Sequence, residues 1–288
     1  MDRQPGGPLR RLPMNRLAPN MVTTLALCSG LTSIRFSLQE RWEAAVIAIL
    51  LAALLDGIDG RLARLLKGST KFGAELDSLS DFLCFGVAPV ILLYRWSLSD
   101  LGNIGWLAVL VYATCCALRL ARFNSALEDT NQPAWAANFF TGVPSPAAAG
   151  LVILFPVLSF QFGDVVRWAP INFVWAIAIG LLMVSRVPAF SFKKIKIRRE
   201  LTLLLLVGFG IFVALLMTEP WLTLIALAAA YLALLPFSIR ARARHQRVEP
   251  WPTLMAEPLM DTPGDDLDEE PDDRTPPAPP ETPPITRH

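Results

Sequence analysis

Long apolar runs separated by short polar segments dominate the chain between residues 20 and 238. Each run is close to the roughly 20 residues that an α-helix needs to cross a membrane. Because backbone hydrogen bonds in lipid must be satisfied internally, such runs predict helices. The predicted spans are 20–38, 43–64, 79–95, 104–122, 144–162, 170–188, 201–217 and 221–238. The predicted fold is therefore all-α, a polytopic membrane helix bundle with about eight transmembrane helices.

The polar ends of the chain differ from this central region. Residues 1–18 are basic and are predicted to be a cytoplasmic lead, with no apolar core of a cleavable signal peptide. Residues 239–288 are rich in proline and acid, and this composition predicts a disordered cytoplasmic tail. Residues 19–238 form the predicted transmembrane domain. Only residues 218–220 separate the last two spans, which indicates a tight helical hairpin.

Composition supports a membrane protein over a soluble one. The chain has 288 residues, of which 53% are hydrophobic, and a mean hydropathy of +0.43. All four cysteines lie in apolar runs, so we expect neither a disulfide nor a zinc site. The two histidines lie outside the spans, which argues against histidine catalysis. The net charge of only +1 says little about binding partners by itself, and no nucleic-acid partner is expected.

The distribution of positive charge predicts the orientation. If both termini are cytoplasmic, twenty Lys and Arg residues flank the spans on the inner side and four on the outer side. This bias follows the positive-inside rule, so we expect both termini inside and an even number of spans. The basic run 193–199 is expected to contact anionic lipid headgroups.

Four aspartates stand out around the second and third spans. Asp56 and Asp59 are three residues apart, and Asp77 and Asp81 are four apart, so each pair lies on one face of a helix. A charge at the edge of a membrane span costs on the order of a few kcal/mol. Cations should therefore offset these carboxylates, and hard divalent ions are the cations that carboxylate oxygens prefer.

Small residues and an arginine accompany the aspartates. Gly60 and Gly73 have no Cβ, so a ligand can approach the backbone closely. The small side chain of Ala63 leaves the helix face beside Gly60 accessible. Arg64 offers a forked donor that suits phosphate. Together with the acid pairs, these residues indicate a site for metal and a nucleotide diphosphate.

The pattern D-x-x-D-G-x-x-A-R, followed after eight residues by G-x-x-x-D-x-x-x-D, resembles the signature of the CDP-alcohol phosphatidyltransferase family. Residues 56–81 fill every fixed position of it. The resemblance implies transfer of a phosphatidyl group from CDP-diacylglycerol to an alcohol, with two Mg²⁺ or Mn²⁺ ions. It implies metal ligation by Asp56, Asp59 and Asp77, and a general base at Asp81, which is also a candidate ligand. Gly60, Ala63, Arg64 and Gly73 would form the CDP-diacylglycerol pocket.

Three further segments, 118–124, 140–148 and 185–194, resemble the serine-using branch of this family. L-serine is therefore the expected acceptor, and its carboxylate needs a cation. The expected serine-binding residues are Arg122, Asn124, Ser145 and Arg186. For Arg119, membrane anchoring and function are equally well supported by the sequence. The resemblance also implies a homodimer, and the protein is expected in a bacterial-type inner membrane. The bias of positive charge predicts that the active site is cytoplasmic.

Two alternatives remain open at this point. The same chemistry could use another alcohol, such as glycerol 3-phosphate, an inositol compound or choline. A non-enzymatic divalent-cation transporter could hold its ion with the same aspartates. Against the transporter, the acids cluster at one edge of the membrane, and the residues Gly60, Ala63 and Arg64 have no role in a cation path.

Overall fold

The computed structural model describes residues 14–66, 70–128, 140–185, 188–189 and 202–246. Within these ranges the chain is helical apart from connecting turns and one antiparallel pair of two-residue strands. The all-α prediction is confirmed in this sense. Most of the predicted lead and the last part of the predicted tail, residues 247–288, lie outside the described residues.

Ten α-helices and two short strands, in the part of the chain described, carry the fold. A π-helical segment, Phe82–Val87, joins the third helix to the fourth without a break, and short 3₁₀ turns follow α4 and α7. The elements are α1 (Met14–Leu38), α2 (Trp42–Leu65), α3 (Lys71–Asp81), α4 (Ala88–Trp96), α5 (Asn103–Glu128), β1 (Phe140–Thr141), α6 (Ser145–Val152), α7 (Leu154–Phe162), α8 (Ala169–Val184), β2 (Pro188–Ala189), α9 (Thr202–Thr218) and α10 (Pro220–Gln246).

Helices occur at all eight predicted apolar runs. Among the described residues, four stretches are long and apolar enough to cross a membrane: Ala18–Leu38, Lys71–Trp96, Asn103–Ser125 and Ser145–Phe162. Helix α2 carries several charged residues along its length, and α8, α9 and α10 contain shorter apolar stretches.

Three boundaries differ from those predicted. The third helix begins at Lys71 instead of residue 79, because Thr70 caps it by accepting a hydrogen bond from the Gly73 N–H at 3.0 Å. Helix α8 ends at Val184, ahead of Pro188. Helix α10 continues to Gln246, past the predicted start of the tail. The predicted hairpin is present, since α9 ends at Thr218 and α10 begins at Pro220.

Small side chains hold α1 closely against α2. The Ser29 hydroxyl donates to the carbonyl of Ala48 at 2.8 Å, and the Ser33 hydroxyl donates to the carbonyl of Ala45 at 2.9 Å. Both serines are buried, so these bonds satisfy polar groups that would otherwise be costly inside the bundle. The pairing fixes the second helix, and with it the end that carries Asp56.

Helix α5 is anchored in the main core. The side chains of Trp96 and Tyr112 are almost fully buried there, together with residues of α2, α4, α6 and α8. Tyr112 also donates from its hydroxyl to the carbonyl of Phe85 at 3.0 Å. A π-helical turn disturbs the regular backbone hydrogen bonding of a helix. The α5 side chain therefore fixes the segment that directly follows Asp81.

The strand pair closes the end of the bundle at which Asp56 lies, called the inner end below. Phe140 pairs with Ala189 and Thr141 with Pro188. The next residue, Gly142, has φ +88°, and a Cβ there would clash with the carbonyl oxygen of Met183. Only glycine fits this turn, which leads directly into α6 and Ser145.

Candidate functional site

Three of the four aspartates come together at the inner end. Ligand oxygens of Asp56, Asp59 and Asp77 all lie within 4.8 Å of one another. The first two lie one turn apart on α2, and the third is on α3. Both helices pack against α1, which brings the acids together although Asp59 and Asp77 are far apart in sequence. Such a group of hard oxygen donors suits Mg²⁺ or Mn²⁺.

Asp59 gives the strongest indication that this cluster binds a cation. Its side chain is only 3% exposed, and neither carboxylate oxygen has a hydrogen-bond partner among the described residues. Thr23 lies beside it on α1, but that hydroxyl donates to the carbonyl of Pro19. A buried carboxylate without partners is strongly unfavourable. A divalent ion held between the three aspartates would remove this cost, so the residues fit the metal that the sequence predicts.

Asp81 lies one turn beyond Asp77, at the edge of this cluster. It interacts electrostatically with Asp56, Asp77 and, with opposite sign, Arg119. Its Oδ1 atom is buried and lacks a hydrogen-bond partner within the described ranges. An acceptor atom that is free and close to the metal ligands can receive a proton from a substrate.

The glycines predicted to bind nucleotide fall into two kinds. At Gly60 an added Cβ would meet nothing within 4 Å, so that face of α2 is open to a ligand. At Gly73 a Cβ would lie 2.7 Å from Oδ1 of Asn20, so this glycine allows α1 to approach α3. Arg64 is exposed and donates from Nε to the Gly60 carbonyl at 2.9 Å, which holds the guanidinium along the open face. Ala63, on the same turn, is half-buried.

The predicted serine-binding residues are not all brought together. Ser145 is fully buried at the start of α6, and Asn124 donates from Nδ2 to the Ser78 hydroxyl at 2.9 Å, on the same helix as Asp77 and Asp81. Arg122 is exposed and donates to the carbonyl of Val184 at 3.3 Å. Arg186 lies outside the described residues.

Comparison with known proteins identifies the family to which this chain belongs. A family model described as CDP-alcohol phosphatidyltransferase matches residues 16–184, from α1 to the end of α8, and includes all four aspartates. The chain belongs to the CDP-alcohol phosphatidyltransferase family. The resemblance inferred from the aspartate signature is thereby confirmed. A second model, described as CDP-alcohol phosphatidyltransferase 2, matches residues 200–236 in α9 and α10.

Three curated relatives of this phosphatidyltransferase share one activity name. The CDP-diacylglycerol–serine O-phosphatidyltransferase of Mycobacterium leprae (strain TN) is 40% identical over 232 residues, covering 80% of this chain and 77% of the relative. The protein of that name from Helicobacter pylori (strain 26695) is 34% identical over 224 residues, covering 77% and 91%. The one from Methanocaldococcus jannaschii is 36% identical over 164 residues, covering 57% and 69%.

Two residues of this family member were undervalued by sequence reasoning. Arg119 interacts with Asp81 and donates from Nη1 to the Ser145 hydroxyl, whereas Arg122 reaches the end of α8. Arg119 shares one helical face with Tyr112 and Cys116, and this signal could have distinguished it from Arg122. Tyr231 on α10 was not considered, although a polar hydroxyl in the middle of an apolar run is itself a sign of function.

An apolar cavity of about 310 Å³ lies between α6, α7 and α10 of the phosphatidyltransferase. Its walls include Leu50 of α2, Gly150 of α6 and Leu224 of α10. Tyr231 also contributes to the lining, and its hydroxyl interacts electrostatically with Arg119. The apolar cavity therefore adjoins the polar site at Tyr231, an arrangement suited to a lipid with a charged headgroup.

Proposed function

We propose that this protein transfers the phosphatidyl group of CDP-diacylglycerol to the hydroxyl of L-serine, giving phosphatidylserine and CMP. The observation that carries the proposal is the acid cluster of Asp56, Asp59 and Asp77, in which Asp59 is buried and has no hydrogen-bond partner among the described residues. It lies in a family member whose relatives are named CDP-diacylglycerol–serine O-phosphatidyltransferase.

The metal site is the first part of the mechanism. Asp56, Asp59 and Asp77 hold two divalent ions, Mg²⁺ or Mn²⁺, and Asp81 is a further candidate ligand. When bound, the ions polarise the diphosphate and neutralise charge on the departing CMP. Two observations support this assignment: the donors are all carboxylate oxygens, and both oxygens of Asp59 lack a hydrogen-bond partner within the described ranges.

The donor lipid binds across the polar and apolar parts of the site. Gly60 and Ala63 let the cytidine diphosphate approach α2, Arg64 donates to the diphosphate, and Gly73 shapes the facing side at α3. The open face at Gly60 supports this placement. One acyl chain enters the apolar cavity lined by Gly150, where nearly all of the lining surface is apolar.

Asp81 acts on the acceptor. It takes the proton of the serine hydroxyl while that oxygen forms a bond to the phosphorus that bears diacylglycerol. The bond from this phosphorus to the CMP oxygen breaks, and CMP leaves with the electron pair. This is a direct displacement with no covalent enzyme intermediate. The buried Oδ1 of Asp81 supports the role, because it has no hydrogen-bond partner in the described part of the chain.

The acceptor binds at the inner end of α5 and the start of α6. Asn124 and Ser145 are its polar neighbours, and Arg122 and Arg186 supply positive charge at the rim. The hydrogen bond between Asn124 and Ser78 supports the location, because it places Asn124 against the helix of the catalytic acids. Positive charge at the mouth of a site attracts an anionic substrate.

The membrane setting completes the proposal. The helices at all eight predicted apolar runs cross the membrane, and residues 19–238 form the catalytic domain. Both termini and the site face the cytoplasm at a bacterial-type inner membrane. The excess of positive charge on that side supports the orientation. The basic run 193–199 contacts anionic headgroups, and the protein acts as a homodimer.

The test measures CMP release by the purified protein in detergent with CDP-diacylglycerol, Mn²⁺ and L-serine. We expect serine-dependent release that is lost in Asp81→Asn and kept in Asp100→Asn, a matched control at an exposed residue of the turn after α4. Release with glycerol 3-phosphate, inositol or choline but not with serine would show that the protein carries out the same transfer with a different acceptor alcohol. Mn²⁺ uptake into liposomes without CMP release would support the transporter instead.

A further inference from the structure

Three buried polar atoms without partners lie in one neighbourhood beside the metal site. They are Oδ1 of Asp81, Nε of Arg119 and the hydroxyl of Tyr231, and none has a hydrogen-bond partner in the described part of the chain. Arg119 interacts electrostatically with both of the others. Buried polar groups in proteins are nearly always paired, so three orphans together indicate a bound polar ligand.

Arg119 is held so that one part of its guanidinium stays free. Its Nη1 donates to the hydroxyl of Ser145, which is fully buried at the start of α6. Ser145 in turn accepts a weak hydrogen bond from Sγ of Cys116 at 3.8 Å, one turn earlier on α5. These contacts fix the guanidinium between two helices, while its Nε atom has no hydrogen-bond partner among the residues described.

Tyr231 supplies a second donor from a different part of the chain. It lies on α10, within the segment that the second family model matches. Tyr231 lines the apolar cavity, and its hydroxyl interacts electrostatically with Arg119. A forked cation and a hydroxyl together match the two oxygens of a carboxylate.

We propose that Arg119 and Tyr231 bind the carboxylate of the acceptor and thereby select an amino acid over other alcohols. This inference rests on the proposed function, in which Asp81 receives the acceptor's hydroxyl proton. In serine the carboxylate and the hydroxyl are separated by only two carbon atoms, so the cation that binds one must lie next to the base that serves the other. Arg119 meets this requirement, while Arg122 at the rim contacts α8.

A simpler role for Arg119 would be to balance the negative charge of Asp81. The two roles differ in their dependence on the acceptor. Charge balance affects every alcohol alike, whereas a carboxylate contact is made only by acceptors that carry a carboxylate. L-serine and 2-aminoethanol form a suitable pair, because they share the hydroxyl and the amine and differ in the carboxylate.

The experiment compares kcat/KM for these two acceptors in the full-length protein and in Arg119→Gln, Tyr231→Phe and Arg122→Gln. Arg41→Gln, at the far end of α2, is the matched control. We expect the serine to 2-aminoethanol ratio to fall about tenfold or more in Arg119→Gln, and less in Tyr231→Phe. Arg122→Gln should change the ratio less than Arg119→Gln.

A second measurement tests the same contact if the wild-type protein uses 2-aminoethanol too slowly for its kcat/KM to be measured. L-alanine has the carboxylate and amine of serine but no hydroxyl, so it should compete with serine. Its inhibition constant should rise about tenfold or more in Arg119→Gln, with the KM for CDP-diacylglycerol unchanged. Monodisperse elution and an unchanged Tm would show that the variant is folded.

The outcomes separate this inference from the proposed function. A parallel loss with both acceptors, or an unchanged alanine inhibition constant, would overturn the carboxylate contact and leave serine transfer standing. A loss of selectivity in Arg122→Gln alone would assign the contact to Arg122. A wild type that releases no CMP with serine would instead overturn the proposed function, and this inference with it.

Discussion

Tyr112 on α5 donates a hydrogen bond from its buried hydroxyl to the carbonyl of Phe85, at 3.0 Å, inside the π-helical segment that directly follows Asp81. This bond ties the core of the bundle to the backbone next to the proposed base. It also lies on the face of α5 that carries Cys116 and Arg119, so one helix supports both the segment after the base and the proposed acceptor site.

Removal of this hydroxyl should affect stability and catalysis together. In Tyr112→Phe the carbonyl of Phe85 loses its donor, and we expect a loss of about 1–3 kcal/mol in the free energy of unfolding. The expected readouts are a lower Tm in detergent and a lower kcat, because the turn after Asp81 is less well fixed. Tyr94→Phe, whose ring packs edge-on against Trp106, is the matched control. An unchanged Tm would show that the hydrogen bond contributes nothing.

Replacement of Asp59 should abolish the metal site. Asp59→Asn removes a buried charge, so the variant without metal should be at least as stable as the wild type. Added Mn²⁺ should raise the Tm of the wild type but not of Asp59→Asn, since ligands that bind only the folded state stabilise it. CMP release should fall by at least about a hundredfold in the variant. Equal Mn²⁺ stabilisation of both proteins would exclude Asp59 as a ligand.

Asp81→Asn should separate proton transfer from metal binding. If Asp81 is the base, the variant loses CMP release by about 10²- to 10⁴-fold but still binds Mn²⁺. Isothermal titration with Mn²⁺ measures the second property directly. A parallel loss of Mn²⁺ affinity would identify Asp81 as a metal ligand and leave the base unassigned.

Gly142 should tolerate no side chain. Its φ of +88° and the clash of an added Cβ with the Met183 carbonyl predict a clear fall in Tm for Gly142→Ala. Gly208→Ala is the matched control, because a Cβ at that helical position meets nothing within 4 Å and should leave the Tm equal or slightly higher. Equal Tm values for the two variants would contradict the structural assignment.

Filling the apolar cavity should discriminate between donor lipids by chain length. An added Cβ at Gly150 meets nothing within 4 Å, and Gly150 lines the cavity, so Gly150→Leu should occupy part of its volume. We expect a higher KM for long-chain CDP-diacylglycerol and a smaller change for a short-chain analogue. Equal changes for both donors would place the acyl chain elsewhere.

The sequence by itself determined the membrane class, the positions of the helices and the family. Apolar runs of the required length have few alternatives in lipid, because every backbone polar group must be bonded internally. The aspartate signature likewise depends only on spacing along the chain. The sequence was therefore sufficient to identify four candidate site residues, Asp56, Asp59, Asp77 and Asp81. The true start of the third helix was missed, since a local cap at Thr70 outweighed hydropathy.

Only the tertiary structure decided which distant residues meet. The packing of α2 and α3 on α1 joins Asp77 to Asp59 and leaves the latter without a hydrogen-bond partner among the residues described. Contacts among α5, α6 and α10 distinguish Arg119 from Arg122 and bring in Tyr231. Helical periodicity shows which residues share a face, but the direction of that face is set by the neighbouring helices, and in an almost wholly apolar chain hydropathy does not distinguish one face from another.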